Sequence, residues 1–200
     1  MNVSSTFKPQ GEDVRILVLH STKNDLGKDT VALLRSNLNP KIAVAEHRIP
    51  SLSDLATMPQ PQERHHVVLL VVHGDSASNQ AWLFGDVDVN GEDIGTNAGV
   101  LRAASDGLLD DCLCLLGVCH FGQDLLQEAI VDRGGALACV APKPGCTISK
   151  LDIGNEFAKL LNAMQTRRSL DIGVDDLEGL LRSTLTDDLY QRLVTYTAAT

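Results

Sequence analysis

Two residues whose side chains can carry out covalent chemistry stand at the ends of two apolar segments. His73 follows HHVVLLVV and Cys119 follows CLCLLGV. An imidazole beside a thiol favours the thiolate or carries its proton, and the thiolate attacks a carbonyl carbon. Gly74 after the histidine lets a backbone N–H approach the carbonyl oxygen, and with the Cys119 amide it would form an oxyanion hole. The alternative is a packed core thiol and a strand-end histidine bonded to backbone.

Five apolar segments predict the strands that would position this pair. They do not alternate between apolar and polar residues, which is typical of strands buried on both faces of a parallel sheet. The segments are residues 14–20, 42–48, 67–73, 112–119 and 136–141.

Helical patterns separate these strands and follow the last of them. They cover residues 29–37, 52–58, 92–104, 124–131 and 148–164, with shorter pieces around 177–181 and 189–193. The alternation predicts a doubly wound α/β sheet with right-handed crossovers and the strand order 2-1-3-4-5. In that order the third and fourth strands are neighbours about 4.8 Å apart, so that His73 and Cys119 would share the carboxyl edge.

Two segments depart from this rhythm. Asn90-Gly91 between short apolar pieces predicts a small β-hairpin outside the main sheet. Residues 1–12 are expected to be a flexible N-terminus, and residues 13–200 a single domain.

His65 and His66 begin the third strand at the opposite edge from His73 and are expected at the surface.

The charge balance argues against two classes of partner. With 26 acidic and 17 basic residues, the chain carries a formal charge of −9 and lacks the basic footprint of nucleic-acid or anionic-membrane binding. No apolar run is typical of a signal peptide or reaches the roughly 20 residues of a membrane helix. The five cysteines form an odd, irregularly spaced set that suits reduced thiols. We therefore expect a cytoplasmic protein.

The paired blocks HHVVLLVVHGD and CLCLLGVCHFG resemble the caspase-like cysteine peptidases, a group that includes caspases, metacaspases, separases and bacterial CHAT domains. The segments VDVNGEDI, RGGALACVAP and DIGNEFAKLL follow in an order similar to that of CHAT domains, so that the resemblance covers about residues 14–185. It implies a caspase-like sheet with an extra hairpin and hydrolysis of a protein substrate. Cys119 would be the nucleophile, His73 the general base and acid, and the Gly74 N–H part of the oxyanion hole.

The resemblance also bears on partners and specificity. From the residues themselves we expect no cofactor and no metal site, since no spaced pair such as CxxC or HExxH is present. The resemblance implies control by cleavage, dimerisation, calcium or a regulatory partner, so that a regulatory protein or an activating protease is an expected partner. His20 ends the first strand, where caspases place an arginine of the specificity pocket, and it is a candidate substrate-binding residue. Metacaspases carry an acidic residue two positions before the nucleophile, whereas this chain has Gly117. Substrate preference is therefore not transferred.

Other functions remain open at this point. A catalytically silent caspase-like module that binds a partner protein is one, and a flavodoxin-like domain for a small ligand is another. The segment GVCHFG half resembles the nucleophile elbow of α/β-hydrolases, but those enzymes use a histidine after the nucleophile. The six histidines all lie at or before position 120. The elbow is therefore disfavoured.

Overall fold

The computed structural model describes residues 6–21, 26–49, 55, 57–59, 63–74, 81–82, 107–119, 126–167 and 171–198. Its strands are β1 (Thr6–Lys8), β2 (Arg15–Ser21), β3 (Ala43–Ile49), β4 (Val67–Val71), β5 (His73–Gly74), β6 (Ala81–Trp82), β7 (Leu113–Gly117), β8 (Ala138–Pro142), β9 (Ile172–Gly173) and β10 (Leu193–Thr197). Its α-helices are α1 (Leu26–Asn37), α2 (Ala158–Thr166), α3 (Val174–Thr184) and α4 (Asp187–Arg192). Two π-helical segments are Gln127–Asp132 and Asp152–Phe157, the second running directly into α2.

Six strands form the central sheet in the order β10-β8-β7-β4-β2-β3. Five of these strands are parallel to one another, as the apolar segments predict: β8, β7, β4, β2 and β3. Their order in the sheet is also the predicted one. The prediction of an α/β fold with a mainly parallel sheet flanked by helices is confirmed.

The sixth strand was missed by the sequence reading. β10 pairs antiparallel with β8, from Leu193 opposite Pro142 to Thr197 opposite Ala138. The helix expected around residues 189–193 ends as α4 at Arg192, and the chain turns into a strand. The sequence LVTYT is rich in β-branched and aromatic residues, which favour a strand over a helix.

The strand β3 also differs from expectation. It was predicted to be buried on both faces, but most of its residues are exposed, and Ile49 is its buried end. The reason is its place at the edge of the sheet, where Glu46, His47 and Arg48 face solvent. Charged side chains on an edge strand discourage pairing with other chains.

Alternate residues of the inner strands enter two separate cores. Val67, Leu69 and Val71 of β4 pack on one face with α1, α2, α3 and the segment Asp152–Phe157. Val68 and Leu70 pack on the other face, where the segment Gln127–Asp132 and residues near positions 55 and 109 cover the sheet. This two-sided burial explains why the inner strands read as continuous apolar runs.

Part of the expected flexible N-terminus is ordered. Thr6–Lys8 pairs antiparallel with β9, and Phe7 and Lys8 are fully buried. Burial of the Phe7 ring in the core beside α2 and α3 supplies the reason, because one large aromatic side chain can anchor a short strand.

Several expected elements lie outside the described residues. They are the helix over residues 92–104, the hairpin at Asn90-Gly91 and most of the helix over 52–58. Within the described part of the chain, no helix is both long and apolar enough to cross a membrane.

Candidate active site

The register between β4 and β7 places positions 73 and 119 at equivalent points. The two strands are parallel, with Val67 opposite Leu113 and Val71 opposite Gly117. One step beyond the sheet, the Val72 N–H still donates to the Gly117 carbonyl oxygen at 3.4 Å. His73 and Cys119 each lie two residues past the last pair. The backbone therefore brings both residues to the carboxyl edge of the sheet.

The strand predicted to continue through His73 is interrupted at Val72. His73 and Gly74 instead form β5, which pairs antiparallel with β6 through His73 opposite Trp82 and Gly74 opposite Ala81. This ladder is separate from the central sheet. The backbone of His73 is therefore fixed by a partner strand at the point where the chain leaves the sheet.

The Cys119 sulfur is held by the backbone of one residue. The side chain is partly buried against the core under α2. The Ile148 N–H donates to Cys119 Sγ at 3.3 Å, and the thiol donates to the Ile148 carbonyl oxygen, also at 3.3 Å. A thiolate can use only the first of these bonds, because it has no proton to donate. The N–H of Ile148 is thus positioned to stabilise the charged form.

A helix start fixes the position of Ile148. Directly after it, the Ser149 N–H and hydroxyl donate to Asp152 Oδ2 at 2.8 and 2.9 Å, and the Asp152 N–H donates to Ser149 Oγ at 3.1 Å. These bonds satisfy amides at the beginning of the helical segment, as in a capping box. The pKa of Asp152 is lowered overall. Burial alone would raise it, but the hydrogen bonds from the Ser149 backbone and from Arg192 outweigh burial.

Three other cysteines pack in the core. Cys112, Cys114 and Cys139 are buried, and the sulfurs of Cys112 and Cys114 lie 3.6 Å apart. The bond with Cys112, followed by burial, raises the pKa of Cys114, while burial raises that of Cys139. Thiols of this kind are poor nucleophiles. Cys146 is partly exposed, like Cys119.

His20 lies at the carboxyl end of β2, but its side chain is enclosed. It is 1% exposed, and its Nε2 stands 2.9 Å from Glu46 Oε1 on the neighbouring strand β3. The first turn of α1 covers the ring so closely that a Cβ at Gly27 would stand 2.5 Å from His20 Nδ1. In this conformation, a substrate would meet His20 only after Glu46 or α1 moved.

His66 also differs from its expected surface position. It is 1% exposed, because its ring lies between β2 and Glu12 rather than in solvent. Its Nδ1 accepts the N–H of Arg15 at 3.1 Å.

Cys119 lines neither of two cavities that are formed by described residues. One is a small apolar cavity beside Cys114, between Leu19, Leu70 and Ile130. The other is an open polar pocket of about 370 Å³ beside Lys143, Arg182 and Tyr190. Among the residues that the structure describes, no three His, Cys, Asp or Glu side chains are grouped to hold a metal ion. His120, next to Cys119, lies outside those residues.

The chain has no match among the family models, the curated proteins and the solved structures with which it was compared.

The sequence reading missed the residues that hold the Cys119 sulfur. Ile148 is an ordinary apolar residue, and it contacts Cys119 through its backbone, which leaves no mark in the sequence. The pattern Ser149-x-x-Asp152 was the available signal, since it marks a helix start directly after Ile148.

Proposed function

We propose that the chain is a caspase-like cysteine endopeptidase with Cys119 as nucleophile and His73 as general base and acid. The observation that carries the proposal is the backbone register at the carboxyl edge, where both residues stand two positions beyond the pair Val71 and Gly117. Open α/β sheets place their sites at this edge. Cys119 also differs from the three buried cysteines in its partial exposure and in the amide directed at its sulfur.

In the proposed reaction, His73 accepts the thiol proton of Cys119, and the sulfur attacks the carbonyl carbon of the scissile peptide. The oxygen becomes negatively charged and is stabilised by the N–H groups of Gly74 and Cys119. His73 then gives its proton to the leaving nitrogen as the C–N bond breaks, which leaves a thioester on Cys119. Water attacks the thioester, His73 takes a proton from the water and returns it to the sulfur, and the acid product leaves.

Substrate selection in this proposal does not depend on an acidic residue before the nucleophile. Position 117 is glycine, and a side chain there would meet Ile153 Cδ1. The proposal therefore does not carry over the preference of metacaspases for basic side chains. His20 is a proposed substrate-binding residue only in a conformation that releases it from Glu46.

Peptide cleavage tests the function directly. Wild type, Cys119→Ala and His73→Ala are incubated with a degenerate peptide library and with denatured protein, and new termini are read by mass spectrometry. We expect cleavage by wild type and a loss of at least a hundredfold in each variant. Cys146→Ala is the matched control, because Cys146 is also partly exposed and should be dispensable. Cleavage that survives both substitutions would reject the mechanism.

The alternative is a catalytically silent caspase-like module that binds a partner protein. The observation that favours it is the reciprocal bonding of the Cys119 side chain with Ile148, which a purely structural cysteine also makes. Alkylation separates the two functions. In the peptidase, iodoacetamide modifies Cys119 faster than Cys146 in the folded protein. Equal or slower modification of Cys119 supports the silent module.

A further inference from the structure

A single peptide group connects the guanidinium of Arg192 to the sulfur of Cys119. Arg192 Nη1 donates to the carbonyl oxygen of Thr147 at 2.5 Å. The same peptide group carries the N–H of Ile148, which donates to Cys119 Sγ at 3.3 Å. Arg192 can therefore act on the sulfur without contacting it, because it binds the carbonyl oxygen of the peptide group whose N–H contacts the sulfur.

Two carboxylates and a backbone bond hold Arg192 in this position. Its Nη2 donates to Asp152 Oδ1 at 3.3 Å and to Asp188 Oδ2 at 2.9 Å. Its own carbonyl oxygen accepts the Lys143 N–H at 2.7 Å. Burial opposes the charge, but the bonds with Asp152 and Asp188 raise the pKa of Arg192, so the group is a fixed cation.

The physical effect runs through the polarity of the amide. A charged donor on a carbonyl oxygen draws electron density towards that oxygen, and the N–H of the same peptide becomes a stronger donor. A stronger N–H donor favours the thiolate of Cys119, which accepts the bond. The neutral thiol also accepts this bond and donates to the Ile148 carbonyl oxygen, but an uncharged sulfur is a weaker acceptor and gains less from a stronger donor.

We propose that Arg192 is a positioning residue of the Cys119 site, which favours the thiolate through the Thr147–Ile148 peptide group. The proposal deepens the proposed function and rests on it for its biological meaning, but its effect on the sulfur is measurable without any substrate. Arg192 lies far from Cys119 in sequence and belongs to neither of the two blocks that carry the family resemblance.

The test is the pH profile of iodoacetamide alkylation at Cys119, followed by mass spectrometry between pH 6 and 10. In Arg192→Gln we expect the half-maximal rate to move upward by about half to one pH unit and the rate at pH 7 to fall about three- to tenfold. Arg192→Lys keeps a cation but loses the planar fork, and we expect an intermediate profile. Arg182→Gln is the control, because Arg182 bonds with Glu178 and Tyr190 instead.

An unchanged profile in folded Arg192→Gln overturns the proposal. If that variant does not fold, the double variant Arg192→Gln/Asp152→Asn is tested. It removes the charge of Asp152, the more buried of the two carboxylates that lose their partner, and Asn keeps a cap for the helix. We expect the same upward movement there, and an unchanged profile would again overturn the proposal. A shifted profile without any peptide cleavage by wild type rejects the peptidase but keeps this role of Arg192. Peptide cleavage by wild type together with an unshifted alkylation profile in Arg192→Gln keeps the peptidase but rejects this role of Arg192.

Discussion

Gly117 and Ile153 lie in direct contact where the segment Asp152–Phe157 crosses the carboxyl end of β7. A Cβ built on Gly117 would stand 2.5 Å from Ile153 Cδ1 and 3.2 Å from the carbonyl oxygen of Leu70. The approach is close because position 117 carries no side chain. The same contact holds the helical segment that begins next to Ile148, and so it helps to define the surroundings of Cys119.

We expect Gly117→Ala to lower the free energy of unfolding by about 1–3 kcal/mol, because Ile153 must shift from a packed position and the Leu70 oxygen cannot. Urea denaturation measures the loss. Gly179→Ala is the matched control, since a Cβ there would meet nothing within 4 Å and alanine favours the helix α3. We expect the control to stabilise the protein by about 0.5–1 kcal/mol. Equal effects at the two positions would contradict the close contact.

His66 makes the stability of the protein depend on pH. Its Nδ1 accepts the Arg15 N–H, so its Nε2 carries the proton and donates to Glu12 Oε2 at 3.1 Å. Burial and then the Arg15 guanidinium lower the pKa of His66 to about 4, and Arg64 adds to this. In the unfolded chain the imidazole of His66 binds a proton near pH 6.5, whereas in the folded chain it binds one only near pH 4. The contribution of His66 is therefore complete above pH 6.5 and lost on acidification.

We expect the free energy of unfolding to fall by about 2–3 kcal/mol between pH 6.5 and pH 4 through this residue. Denaturation at several pH values measures the slope. His66→Asn keeps an oxygen that can accept the Arg15 N–H but does not titrate, so its slope should be flatter. His65, whose pKa is also lowered by burial, is present in both proteins and does not affect the comparison. An identical slope in wild type and His66→Asn would count against this assignment.

The sequence was sufficient for the inner sheet because those strands are buried on both faces. Val67–Val71 and Leu113–Gly117 are apolar at every position, whichever face each residue meets. The edge strands were harder to predict from the sequence, since β3 is largely exposed and β10 follows a helical turn without a break in composition. For the site, strand ends predicted the backbone positions of His73 and Cys119. The contact of Cys119 with Ile148 was not predictable, because it joins a side chain to a distant backbone group.

The contact between the buried His20 and the solvent-facing Glu46 predicts a difference between two substitutions. Glu46 accepts from the enclosed His20 ring, and Arg35 donates to its second oxygen at 3.3 Å. We expect Glu46→Ala to lower the free energy of unfolding by about 1 kcal/mol, because it removes an acceptor from a buried polar group. Glu46→Gln keeps an oxygen and should lose less than half as much. Equal losses, measured by urea denaturation, would show that the charge of Glu46 matters more than its hydrogen bond.

The five cysteines should divide into two classes when the folded protein is alkylated. Cys119 and Cys146 are partly exposed, whereas Cys112, Cys114 and Cys139 are buried in the core. Because alkylation requires access and a thiolate, and burial raises the pKa of Cys139, we expect two modified cysteines in native protein. All five should react in concentrated urea.

Intact-mass spectrometry counts the adducts, and peptide mapping assigns them. A Cys119→Ala/Cys146→Ala variant is the control, and it should take up no iodoacetamide until it unfolds. Its rate of labelling then reports global opening of the sheet, because Cys114 and Cys139 lie opposite each other on β7 and β8. Rapid labelling of Cys114 in native protein would show that these two strands separate without global unfolding, contrary to their place at the centre of the core.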